Sequence, residues 1–166
     1  MVTMLIFLCG FCERKQKNCI GNVEVQLSEP LADKLYGQIS TLTVEPGQRL
    51  AKDPTVFVKE SSEVSYLRIR ILWGGLTAQM RELLEKNLAL KNGWVKNCED
   101  GFYYYQYPVK GGDQICFFDM LTVPETWTKP QVEVSFCMEF HVEAVTQKKV
   151  EVLKNQERKI NGWIIL

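Results

Sequence analysis

The chain has 166 residues, 20 Lys+Arg against 20 Asp+Glu, a single histidine and 46% hydrophobic residues. That is the make-up of one ordinary globular domain and excludes disordered, collagen-like and solenoid chains. Zero formal net charge, with the basic residues scattered, lacks the electrostatic footprint of a nucleic-acid binder.

The opening stretch carries the apolar run Met4, Leu5, Ile6, Phe7 and Leu8, then Glu13, Arg14, Lys15 and Lys17. It is shorter than the about 20 apolar residues that a bilayer span needs. Two readings stay open: a truncated export signal, which would normally carry its positive charge before the apolar stretch, or a buried first strand. Residues 1–19 are set apart on this basis, 20–147 form the body, and 148–166 read as a polar tail with an apolar end, Trp163, Ile164, Ile165 and Leu166.

Through the body the dominant period is two, that of strands with one face buried. Val23, Val25 and Leu27 alternate with Glu24 and Gln26; Leu67, Ile69 and Ile71 alternate with Arg68 and Arg70. Turn signals follow at Glu45-Pro46-Gly47, Asp53-Pro54, Lys91-Asn92-Gly93, Glu99-Asp100-Gly101, Lys110-Gly111-Gly112 and Val123-Pro124. One segment differs: Met80, Leu83, Leu84 and Leu88 recur at helical spacing, Thr77 is suited to N-cap, and Asn92-Gly93 supplies a stop. This predicts an amphipathic helix over about 77–90. The longest strand is predicted over 132–144, where Val132, Val134, Phe136, Met138, Phe140 and Val142 share one face and Glu133, Ser135, Cys137, Glu139, His141 and Glu143 the other. Short alternating strands with such punctuation predict an all-β fold, a two-layer antiparallel sandwich with one inserted helix.

Catalytic chemistry finds little to use. A Ser-His-Asp or Cys-His site would have to recruit His141, which lies between Glu139 and Glu143 on the polar side of its strand and reads as solvated or salt-linked. An H-E-x-x-H zinc site needs two histidines. Glu139, His141 and Glu143 share a face but stand about 7 Å apart along it, wide for a tight metal site. Cys9 and Cys12 make a lone C-x-x-C with no second half. Cys98, Cys116 and Cys137 fit either one disulfide in an exported protein or buried free thiols. Neither a cofactor nor a metal is expected, and the chain is expected not to be an enzyme. Phe102, Tyr103, Tyr104, Tyr105 and Tyr107 form a dense aromatic run. In a strand Phe102 and Tyr104 point one way and Tyr103, Tyr105 and Tyr107 the other, so one set fills core; the odd-numbered set is the candidate face for ligand stacking.

Several segments, in order, resemble the TasA and camelysin family of exported Gram-positive bacterial proteins, those released by a dedicated signal peptidase. Ile20-Gly21-Asn22-Val23-Glu24-Val25-Gln26-Leu27-Ser28-Glu29-Pro30 matches the segment that the family carries after its signal. Pro46-Gly47 with Lys52-Asp53-Pro54-Thr55-Val56, and then Ser65-Tyr66-Leu67-Arg68-Ile69-Arg70, match its next elements. Gly93-Trp94, Asp100-Gly101-Phe102-Tyr103-Tyr104-Tyr105, Gly112, Phe118-Asp119 and Val123-Pro124 match its second half. The resemblance implies a jelly-roll or immunoglobulin-like sandwich outside the cell or on its surface. Its expected function is non-catalytic and structural, as in a biofilm-matrix fibre subunit that self-associates. An extracellular carbohydrate- or protein-binding module is the alternative, and a camelysin-type peptidase a distant third. The resemblance also makes Val23, Val25 and Leu27 the candidate exchanged strand, passing from one copy to the next; the same strand folding back into its own sandwich is the other possibility. Partners are expected among cell-surface or matrix components, with no nucleic acid and no stable transmembrane segment.

Overall fold

The computed structural model describes residues 4–7, 16–36, 42–127 and 136–166. The chain is mostly β, its strands sorted into several sheets. The largest is organised on two long neighbours, β7 (Ser65–Gly74) and β13 (Phe136–Thr146), antiparallel from the Ser65–Thr146 pair to the Gly74–Cys137 pair. Alternation sets this register. Leu67, Ile69 and Ile71 on one strand, and Phe136, Met138, Phe140, Val142 and Ala144 on the other, are all buried; a slip by one residue would turn either set to the opposite face. Val132 and Val134, also expected on this strand, lie outside the described residues.

Beyond β7 the sheet continues through β10 (Tyr103–Tyr105) and β9 (Trp94–Lys96), a hairpin whose turn includes Gly101 at φ +74°. Along the other edge of β13 run two short strands, β1 (Met4–Phe7) and β2 (Gln16–Ile20), both parallel to it; β4 (Leu42–Val44) is antiparallel to β1.

Two smaller sheets complete the core. One has the order β11 (Gln114–Cys116), β6 (Thr55–Val58), β3 (Val25–Ser28); the other has β5 (Arg49–Ala51), β12 (Phe118–Thr122), β8 (Leu88–Leu90). Val25, Leu27, Val56, Leu50, Phe118 and Leu121 from these sheets join the buried faces of β7, β13 and β10 in one hydrophobic cluster. Phe117 is wholly buried within it and makes ring contacts with Trp94, Tyr103, Phe118 and Phe140 at centroid distances of 5.0, 4.9, 5.3 and 6.4 Å. Each fully buried side chain of this size contributes about 1.5–3 kcal/mol before entropy is subtracted.

The predicted helix is present but shorter. It is α2 (Ala78–Lys86), with Thr77 Oγ1 accepting from Met80 N at 3.2 Å and Leu84 buried. Leu88 does not continue it: the chain turns at Asn87 and Leu88 pairs with Leu121 as part of β8, because burial against β12 outweighs one more helical turn. A second helix, α1 (Pro30–Tyr36), goes beyond the one that the sequence pattern predicts; the Asp53 carboxylate caps it by accepting from Leu31 N at 2.8 Å and Ala32 N at 2.9 Å.

The last stretch also differs from expectation. Residues 148–166, read as a polar tail, contain an antiparallel hairpin of β14 (Val150–Lys154) and β15 (Ile160–Ile165). Asn155 closes its turn, Oδ1 accepting from the backbone N–H of Glu157 and of Lys159, both at 3.0 Å. Ile160, Val152 and Trp163 then pack with Phe102, Tyr104 and Tyr66 in a second apolar cluster. Among the described residues no helix is long and apolar enough to cross a membrane.

Candidate assembly edge and aromatic face

The first candidate site is the segment that leads from β2 to α1. Gly21 makes the transfer between two sheets, with φ +88° and no room for a side chain against Thr146. Upstream, β2 pairs with β13 from Gln16–His141 to Ile20–Val145. Downstream, β3 pairs with β6 from Val25–Val58 to Ser28–Thr55. Val23, Val25 and Leu27 are brought together as expected, all three in the main core at 7%, 2% and 2% exposure. In the structure they pair within their own chain. Among the described residues β3 is the outer strand of its sheet, paired as a strand with β6. The segment is pinned by Lys59 N donating to Glu24 O and Glu63 N donating to Asn22 O. At its end Glu29 is buried in an ion pair with Lys52.

The second candidate, Tyr103, Tyr105 and Tyr107, is not one exposed face. Tyr103 is 2% exposed and belongs to the main core. Burial, with Glu85 nearby, pushes its phenol well above the ordinary tyrosine range. Tyr105 is half-buried against Trp94 and Tyr107, and Tyr107 alone of the three is largely exposed. Strand alternation holds along β10, but both of its sides meet packing, since the β14–β15 hairpin covers the side opposite the core.

Under that hairpin lies a bonded row that sequence reading did not assemble. Asp100 Oδ2 accepts from the Tyr104 hydroxyl at 2.7 Å, Arg68 Nη1 donates to the same hydroxyl at 2.8 Å, and Arg68 Nε donates to Glu143 Oε2 at 2.7 Å. His141 Nε2 stands 2.9 Å from Glu143 Oε1. The Arg68 guanidinium lies 4.1 Å from the Phe102 ring centre and 4.6 Å from that of Trp163, which places it between the sheet and the hairpin. Burial alone would raise the Glu143 pKa, but the bonds from His141 and Arg68 hold it below the usual carboxylate range. Burial, reinforced by the bond to Asp100, pushes Tyr104 up to about 12. His141 thus contacts Glu143 on a face half-covered rather than open. The sequence signal that could have exposed the row is the Asn155 turn, which marks a hairpin and hence a cover for this face.

Among the described residues no three His, Cys, Asp or Glu side chains are placed to hold a metal ion. Cys98, Cys116 and Cys137 are free thiols; Cys116 donates to Phe118 O at 3.1 Å and burial raises its pKa. Cys9 and Cys12 lie outside the described residues. Comparison with protein-family models, with curated proteins and with solved structures found no match.

Proposed function

We propose that this chain is a non-catalytic structural protein of the cell surface or extracellular space, a jelly-roll or immunoglobulin-like sandwich of the TasA and camelysin type. Its copies assemble into fibres by exchanging their first strands. The observation that carries the reading is that one contiguous stretch supplies strands to two sheets: β1 and β2 along β13, and β3 along β6. A strand added at an edge makes the same backbone bonds whether it comes from its own chain or from an identical neighbour, and head-to-tail exchange gives a filament rather than a closed ring. Val23, Val25 and Leu27 supply the alternating side chains that such a strand must bury.

Deleting residues 1–27 tests this. The truncated protein should stay soluble, stop forming fibres by electron microscopy and light scattering, and bind a synthetic peptide of residues 22–27. Full-length protein that remains monomeric across pH and salt defeats the proposal.

A further inference from the structure

β10 begins to pair with β7 only where Tyr103 meets Ile69. Among the described residues, β7 therefore runs on toward Gly74 with no strand on that side, and α2 closes over the gap: the Trp73 indole Nε1 donates to Glu85 Oε1 at 3.0 Å. The space left is a cavity of about 310 Å³, lined by Arg70, Trp73, Arg81, Glu82, Glu85 and Lys96 among others. That is the lower end of the range for small-molecule sites, which runs from about 300 to 1,000 Å³.

The charges around it are unevenly satisfied. Glu85 takes Trp73 on one oxygen and Lys96 on the other, and Glu82 Oε1 takes Lys86 at 2.8 Å. Both carboxylates thus have their own cations. Arg70 and Arg81 have no carboxylate partner among the described residues. The Arg70 Nε–H is buried without any hydrogen-bond partner, while its guanidinium lies 4.7 Å from the Phe102 ring centre. A buried guanidinium N–H left open beside a cavity, with a second unpaired guanidinium lining the same cavity, is the arrangement that an oxyanion completes.

The two glutamates narrow the choice of anion. A dianion such as phosphate would meet two carboxylates in the same cavity, whereas a single carboxylate can sit at the arginines. The glutamate oxygens keep lone pairs free to accept from hydroxyl donors, and Trp73 offers apolar ring surface. We infer that this cavity is a binding site for a carboxylate-bearing, hydroxyl-rich small ligand, of the chemistry of a uronic acid residue in an acidic saccharide. The site is formed within one chain and does not depend on strand exchange.

The test uses the full-length protein, titrated with a galacturonic acid trisaccharide, a neutral galactose trisaccharide, inorganic phosphate and an oligoglutamate peptide. Calorimetry gives affinity, and the Trp73 indole N–H resonance, assigned through Trp73→Phe, gives location. The acidic saccharide should bind and shift that resonance, and the neutral one should bind at least about tenfold more weakly. Arg81→Gln, on an exposed helix position, and Arg70→Gln should each weaken binding by a similar factor. Arg81→Gln keeps the test decisive should loss of the Arg70–Phe102 contact impair folding. The inference is overturned by no binding of the acidic saccharide, by equal binding of the neutral one, by tighter binding of phosphate or oligoglutamate, or by an affinity that Arg81→Gln leaves unchanged.

Discussion

Lys52 Nζ lies 2.6 Å from Glu29 Oε1, and only 3% and 5% of the two side chains are exposed. Glu29 directly follows β3 and Lys52 directly follows β5, so the pair ties the first segment of the chain to a different sheet from the one it hydrogen-bonds with. Lys52 also stands 5.5 Å from the Phe140 ring centre, well inside the core. Charges so far from water are tolerable only as a pair, and removing either leaves the other uncompensated.

Glu29→Lys and Lys52→Glu should therefore each lower the unfolding free energy by about 3–5 kcal/mol, and the double variant should recover much of the loss, as read by urea denaturation. The same variants address assembly. With the strand exchanged, a Glu29→Lys copy presents its new cation to the new carboxylate of a Lys52→Glu copy, so an equimolar mixture should form fibres that neither variant forms alone. A mixture that assembles no better than its components rules out exchange of this strand.

Phe136 is 2% exposed and lies between Trp73 and Trp127, with ring centres at 6.2 and 6.3 Å. Phe136→Asp places a carboxylate there with no cation to meet it and should abolish cooperative unfolding at room temperature. Glu139, three positions on and on the opposite face, is partly exposed; Glu139→Lys should change stability by no more than about 0.5 kcal/mol. Similar thermal melts for the two variants would refute the assigned faces of β13.

Where a feature depends on near neighbours, the sequence is enough to read it. The alternation of Leu67, Ile69 and Ile71 fixes the faces of β7, Thr77 marks the start of α2, and Gly101 the β9–β10 turn. Features set by distant partners are not legible. α1 depends on the Asp53 carboxylate, more than twenty residues downstream of the N–H groups that it caps. Leu88 leaves the helix because Leu121 is there to pair with it. The Lys, Glu, Gln and Asn content of residues 148–166 hides Val152, Ile160 and Trp163, which find their apolar partners on β10. The cavity beside Arg70 is illegible for the same reason, since its walls come from β7, α2 and β9.

Gly21 offers a local test of how the two edge pairings are joined. A Cβ there would stand 2.2 Å from Thr146 Oγ1, and its φ of +88° is one that L side chains avoid. Gly21→Ala should cost about 1–2 kcal/mol in backbone strain plus the displacement of buried Thr146. Combining it with Thr146→Ala should relieve the steric part and leave the backbone part. Strictly additive losses in denaturant titration would show that the two residues do not press on each other.

The row beneath the β14–β15 hairpin should shape stability at both ends of the pH scale. The native pKa of Glu143 is depressed, so its contribution is full above the ordinary carboxylate value of about 4.3 and is lost as pH falls through the lower native value. Tyr104 behaves in the opposite sense. Its native pKa is raised to about 12, so the folded state holds the proton more tightly than the unfolded chain does. Its contribution is full below the ordinary tyrosine value of about 10 and is lost between there and about pH 12. Unfolding free energies measured from pH 3 to pH 12 should show both limbs. Glu143→Gln should flatten the acid limb and spare the alkaline one, while Tyr104→Phe should do the reverse. Because Arg68 lowers the pKa of both residues, Arg68→Met should weaken the acid limb and enlarge the alkaline one, and pH profiles that run parallel to the parent protein in all three variants would show that the row does not bear on stability.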